Sequence, residues 1–150
     1  MRIAHTRSRN PMRLILQLEL PAQARMLPKT RRAVDGYMED LGSDADSRAD
    51  VVLALDEACG NVIRHAFPGR ADGVIRLRAE ISDGAVTVQV EDDGVGFDPY
   101  SDTMDPAGPH DVSGRGLGMI RHLMTSVELQ SPVTEAGGTR VTMEKVLGTG

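Results

Sequence analysis

The chain has 150 residues, with 17 Lys and Arg against 22 Asp and Glu and a formal net charge of −5; that is material for one domain with one good core, and its acidic balance argues against a nucleic-acid binder working through a basic surface. A single cysteine excludes an internal disulfide framework and a Cys-rich zinc site, no apolar run approaches the about 18–20 residues of a membrane span, and the stretch after Arg2, Arg7, Arg9 and Arg13 is too short and too polar for a signal peptide. A cytoplasmic protein with an aliphatic core is expected, since aromatics are only 3% and Trp is absent, which also removes aromatic stacking as a way to hold single-stranded nucleic acid.

Residues 1–12 show no periodicity, contain Asn10-Pro11 and read as a mobile tail; the domain is expected over residues 13–147. Leu14, Leu16, Leu18 and Leu20 alternate with Ile15, Gln17 and Glu19, which predicts a strand with one mainly apolar face, ended by Pro21. From about Ala22 to Leu41 the apolar spacing turns helical, weakened by Pro28 and Gly36 and closed by Gly42-Ser43-Asp44. A second helix is expected from about Ser47 to Phe67. Val51, Val52, Leu55, Cys59, Val62, Ile63 and Ala66 form its apolar stripe, and Glu57, Asn61 and His65 form a polar stripe at i, i+4, i+8. Asp83-Gly84 is a two-residue hairpin signal. Folding there pairs Ile81 with Val86, Ala79 with Val88 and Leu77 with Val90 on one face. The same register pairs Arg76 with Glu91, Arg78 with Gln89 and Glu80 with Thr87 on the other.

Periodicity is then lost until Ser113, a length that suits a lid or binding loop. Gly114-Arg115-Gly116-Leu117-Gly118 opens a short helix, and two strands follow, with Val127 and Leu129 in one, Val141 and Met143 in the other, and Gly137-Gly138 in their turn. Each strand shows one apolar face. An open, mixed but mostly antiparallel sheet with helices on one face, an α/β two-layer sandwich, satisfies the pattern.

Three blocks can carry chemistry. Glu57 and Asn61 sit four apart on a helix, so both project from one side. The Asn61 carbonyl could ligate Mg²⁺, which near a nucleotide takes only one or two protein oxygens, and Glu57 could accept a proton from an attacking hydroxyl; a solvated helix face shows the same spacing. Asp92-Asp93-Gly94-Val95-Gly96 ends a strand, where a carboxylate can accept from an exocyclic amine and glycines let backbone approach a flat ring; an ordinary acidic turn is the alternative. Gly114 to Gly118 at a helix start offers free N–H groups and the Arg115 charge to an anion, though a flexible loop entering a helix looks alike.

Together the blocks resemble the nucleotide site of the Bergerat-fold (GHKL) ATPases. Leu53 to Phe67 resembles that superfamily's N box, Val90 to Phe97 its first glycine box, and Gly114 to Ile120 its second. The short chain, with Glu57, Asn61 and His65, is similar to one branch, the anti-sigma regulatory factor/serine-protein kinase family. The resemblance covers about residues 13–146. It implies ATP and Mg²⁺ as cofactors, with Asn61 on the metal and Glu57 as general base. Asp92 would bind adenine, with Gly94 and Gly96 beside the ring. Residues 98–113 would form the ATP lid, here long and rich in Pro and acid. Gly114, Arg115, Gly116 and Gly118 would face the phosphates, and Thr139 would stand near the adenine pocket.

The function implied is a serine/threonine-protein kinase and anti-sigma-like regulator. It would phosphorylate a STAS-domain anti-anti-sigma partner and hold a sigma factor or another regulated protein, as a homodimer. The alternatives are a partner-binding module that uses ATP only to set its shape, and the detached catalytic domain of a histidine kinase; a DNA-acting member of the superfamily would need extra domains. Among the remaining residues, His65 is structural or a phosphate contact, Cys59 a buried small hydrophobe, Asp93 solvent-facing or part of Asp92's surroundings, and Arg31-Arg32 a solvated helix face or a docking patch. His110 and His122 have no second metal ligand at a recognisable spacing.

Overall fold

The computed structural model describes residues 1–7, 13–96 and 111–148. Its strands are β1 (Arg2–Arg7), β2 (Leu14–Pro21), β3 (Val74–Ser82), β4 (Ala85–Asp92), β5 (Ser126–Gln130) and β6 (Thr139–Val146), and its helices are α1 (Leu27–Asp40), α2 (Ala45–His65) and α3 (Asp111–Leu123). The strands form one sheet in the order β1-β2-β3-β4-β6-β5.

Every pairing among the described residues is antiparallel. Two helix legs, α1 and α2, separate β2 from β3. The chain therefore returns to the end of the sheet it left, and β3 runs back beside β2. One leg, α3, separates β4 from β5, so β5 ascends with β4 and β6 descends between them. The sheet has two unlike ends in consequence. At one lie the last residues of α2 and β4 and the first of β6. At the other lie the Asp83-Gly84 turn and the α1–α2 connection.

Residues 2–7, expected as part of a tail, instead form edge strand β1, with Arg2 opposite Glu19 and Arg7 opposite Leu14. Periodicity fails to announce it for a physical reason. An edge strand with one neighbour needs no apolar face, and charged residues there discourage further pairing; Ile3 is 50% exposed. The central hairpin has the register read from its two faces, from Ile81 opposite Val86 to Arg76 opposite Glu91. Its turn needs positive φ at Asp83 and Gly84, 53° and 77°.

The first helical segment opens later than its apolar spacing implies. A 3-10 turn (Ala24–Met26) precedes α1, and Pro28 sits in the first turn of α1, where a missing N–H removes no helix bond. α2 starts at Ala45 because the Asp44 carboxylate accepts from the Ser47 N–H at 2.9 Å. Both helices lie on one face of the sheet. Leu16, Leu18, Leu77, Val88 and Met143 are buried against Val34, Met38, Val51, Leu55, Cys59 and Ile120. Ion pairs Arg31–Asp56 at 2.7 Å and Arg48–Asp35 at 3.1 Å flank the α1–α2 seam. Cys59 is fully buried and burial pushes its thiol up to about 12, so it is packing material rather than a thiolate.

The other sheet face carries a row running across all six strands: Arg2, Glu19, Arg76, Glu91, Arg140 and Gln130. The signs of its first five members alternate, the sixth being neutral, and Arg140 reaches both Glu91 and Gln130 at 3.3 Å. Alternating charge at directly opposed positions stabilises a water-facing sheet without an apolar cover.

Candidate functional site

The C-terminal half of α2 and the ends of β4 and β6 meet around a cavity of about 80 Å³, lined by apolar side chains from Ala58, Val62, Val90, Leu117, Leu129 and Val141 and by Asn61, His65, Asp92, Gly96 and Thr139. Alternation in β4 turns every second side chain toward the helices, and Asp92 is the last in the series Val86, Val88, Val90. The chain thus delivers a carboxylate into an apolar slot, where it is 2% exposed.

One Asp92 oxygen, Oδ1, accepts from the Gly94 N–H at 2.8 Å. Burial raises its pKa, the Gly94 hydrogen bond opposing. Its neighbour has the opposite fate. Asp93 points outward and takes the Arg76 guanidinium in a two-pronged pair at 2.7 and 2.8 Å. That hydrogen bonding holds the Asp93 carboxyl below its ordinary range. One strand step therefore separates a dry acceptor from a surface ion pair.

The slot's floor depends on glycine. A Cβ on Gly94 would lie 2.2 Å from the Ala66 carbonyl oxygen, and one on Gly138 2.7 Å from the Asp92 carbonyl oxygen. The same segments are stitched by backbone bonds, Val95 N–H to the Ala66 carbonyl at 2.9 Å and Gly138 N–H to the Gly94 carbonyl at 3.0 Å. Gly96 lines the cavity; Gly94 lies beneath it, against the end of α2. Thr139 stands opposite Asp92 in the β4–β6 register. Its Oγ1 is 3.3 Å from the Ser131 hydroxyl, which also donates to the Gly138 carbonyl at 3.0 Å. Ser131 was not legible in the sequence, because it belongs to no glycine block and reaches the rim only through the β5–β6 connection.

On α2, Asn61 and His65 face the cavity, while Glu57 lies one turn earlier and outside its lining. Arg64 joins the two candidates, donating to Asn61 Oδ1 at 2.8 Å and lying 3.5 Å from Glu57 Oε2. Gly114, Arg115, Gly116 and Gly118 do not open a helix; α3 already runs from Asp111. Gly114 still falls among the first four residues, whose N–H groups lack helical partners, whereas Gly116 and Gly118 lie further in. Packing overrides the low helix propensity of these glycines, since Leu117, Ile120 and Met124 are buried. The proposed lid, residues 98–113, lies outside the described residues except for Asp111 to Ser113, which begin α3.

The arrangement suits a flat, mostly apolar ring that donates one hydrogen bond. A polar edge of oxygen and nitrogen groups flanks it. No described helix is long and apolar enough to cross a membrane.

Comparison with known proteins agrees with this geometry. The histidine kinase-like ATPase domain family matches residues 20–145. An anti-sigma F factor of Clostridium novyi is 30% identical over 136 residues, 88% of this chain and 94% of that protein. A serine-protein kinase RsbW of Listeria monocytogenes is 31% identical over 123 residues, 76% of this chain and 78% of that protein. Among solved structures, the RsbU and RsbW domains of Rv1364c from Mycobacterium tuberculosis superpose with a TM-score of 0.64 at 23% identity, covering 87% of this chain and 32% of that one. The SiaB-SiaC complex from Pseudomonas aeruginosa superposes with a TM-score of 0.62 at 15% identity, covering 85% of this chain and 87% of that one. The fold is thus that of the histidine kinase-like ATPases, a domain that binds ATP, and the chain belongs to that family's branch of anti-sigma factors and serine-protein kinases.

Proposed function

We propose that this protein is a Mg·ATP-dependent serine/threonine-protein kinase and anti-sigma-like regulator. Its protein substrate would be a small STAS-domain anti-anti-sigma partner, and a sigma factor or another regulated protein would be held in turn by a homodimer. The buried Asp92 acceptor at the end of an apolar slot, with Asn61 and His65 on the same cavity, is the observation that carries the ATP part. The kinase and anti-sigma parts rest on the relatives that bear those names.

The residues present fit both cofactors. The slot takes the adenine, with its amine on Asp92 and its ring beside Gly96 and Thr139. A cation already finds the Asn61 carbonyl and the Glu57 carboxylate attractive, since the Arg64 guanidinium rests against both. The hard Asn61 oxygen suits Mg²⁺, which takes one or two protein oxygens beside a nucleotide and keeps water and phosphate as its other ligands. Asn61 would hold the metal, which supplies charge neutralisation on the phosphates. Glu57 takes the proton from the attacking serine or threonine hydroxyl at Oε1 or Oε2, and the early N–H groups of α3 stabilise phosphate charge. Little else is required, because phosphoryl transfer rests on positioning and electrostatics.

Single-turnover phosphorylation of a STAS partner, beside a binding titration, tests the assignment. Asn61→Ala should lower Mg²⁺-dependent nucleotide affinity and turnover together. Glu57→Gln should still bind Mg·ATP while transfer falls about 10²–10⁴-fold if Glu57 is a general base; full activity in that variant sinks the role. An acid-stable, alkali-labile phosphoprotein identifies a hydroxyl acceptor, and the reverse lability a histidine. Nucleotide binding with no transfer leaves the binding-module alternative.

A further inference from the structure

Arg64 and Gly60 carry an inference that deepens the Mg·ATP reading and rests on it. Arg64 lies back along α2, its Nη2 2.8 Å from Asn61 Oδ1 and 3.5 Å from Glu57 Oε2. These oxygens belong to the two side chains assigned to metal and base. The space that lets it lie there is made by Gly60. A Cβ at that position would sit 2.9 Å from Arg64 Nη1, and its three nearest atoms would all belong to the guanidinium. Gly60 lies inside α2, where no positive φ calls for glycine, and glycine is among the residues that helix interiors tolerate least. A methyl group there would push the guanidinium from the place it now occupies.

We propose that Arg64 is the resident cation of the metal position. In the nucleotide-free protein its guanidinium donates to Asn61 Oδ1 and offsets the Glu57 charge, and Mg²⁺ enters by exchange with it. Two cations cannot share Asn61 Oδ1 without strong repulsion, so metal and guanidinium exclude one another there. Departure is easy, because the Arg64 side chain is 43% exposed and rehydrates as it leaves. An exposed contact of this kind shifts an equilibrium by about two- to fivefold. Arg64 therefore sets the Mg²⁺ concentration at which the site becomes competent and keeps the empty site from presenting a bare carboxylate.

Calorimetric titration of ADP into the full chain, in EDTA and across a Mg²⁺ series, tests the exchange without any turnover. In Arg64→Gln the Mg²⁺ midpoint for tightened ADP binding should fall about two- to fivefold, with ADP affinity in EDTA unchanged. Gly60→Ala keeps every charge but crowds the guanidinium off Asn61, so its midpoint should fall in the same direction by less. A midpoint in Arg64→Gln equal to or above that of the wild type overturns the exchange, as does a rise in Gly60→Ala. Loss of EDTA-state ADP affinity in Arg64→Gln assigns the guanidinium to the phosphates and overturns it too. A wild-type chain that binds no ADP at any Mg²⁺ level removes the nucleotide reading itself, and that failure is distinct from a bound nucleotide with an unmoved midpoint.

Discussion

At Asp92 the proposed adenine contact is set against stability in one side chain. Burial raises its pKa, so the folded state holds the Asp92 proton more tightly than the unfolded chain does. Between the ordinary carboxylate value and that raised one, the native state binds the extra proton, and stability from this group falls as pH rises through the window. Above it the penalty is constant. Asp92→Asn removes the charge, and its side-chain oxygen can keep the Gly94 N–H bond. The nucleotide-free melting temperature at neutral pH should therefore hold or rise, and this pH dependence should disappear from unfolding curves recorded between pH 3 and 7. ATP affinity should nevertheless fall by about 5- to 150-fold, the equivalent of about 1–3 kcal/mol for a mispaired buried polar group. A calorimetric affinity equal to the wild type would remove the adenine role from Asp92.

At the scale of elements, the glycines of this fold answer to different neighbours and should respond differently to one methyl group. Gly94 faces a backbone carbonyl at the end of α2, which cannot move without unseating the helix terminus. Gly94→Ala should cost about 1–3 kcal/mol of overpacking in urea unfolding and weaken ATP binding with it. The atoms nearest a Cβ on Gly60 belong to the tip of a flexible side chain that can swing away, so Gly60→Ala should stabilise α2 by about 0.5–1 kcal/mol. A third element-scale contact is Lys145, which leaves β6 on the helix side, donates to the Leu123 carbonyl at the end of α3 at 2.7 Å and reaches Asp50 of α2 at 2.9 Å. Lys145→Met should lower stability by about 1–2 kcal/mol, because it frees a helix-terminal carbonyl and an acid together.

These elements differ in how openly the sequence declares them. The hairpin was readable to the residue because Ile81–Val86 and Arg76–Glu91 sort both faces in one register. The apolar stripe of α2 and the Val86, Val88 and Val90 series in β4 were readable for the same reason, since a buried face imposes a period, whereas Asp92 as the buried end of that series is a finding of the structure. Strand β1 has no such face. The start of α3 at Asp111 runs against local propensity and depends on packing further along the helix. Arg64 follows Asn61 by three residues, a spacing that places both on one helix face and was the signal for their contact. Ser131 reaching Thr139 depends on where the β5–β6 connection returns in space, and no spacing rule encodes that.

For the whole molecule, the decisive property is that the proposed site and the Asp83-Gly84 turn sit at opposite ends of the sheet. Asp92, Asn61 and Thr139 gather at one. At the other, the Asp83-Gly84 turn accepts a hydrogen bond from the Leu147 N–H at 2.9 Å, and Gly148 N–H reaches the Asp44 cap of α2 at 3.1 Å. That far end is a handle. A reporter peptide of about ten Gly and Ser residues spliced between Asp83 and Gly84 should cost about 1.5 kcal/mol of loop-closure entropy and leave ADP affinity within about twofold of the wild type. Surface attachment, a fluorescent dye or a fused domain can be mounted there with the proposed nucleotide site facing away, so the protein lends itself to a sensor whose signal and ligand do not compete for space.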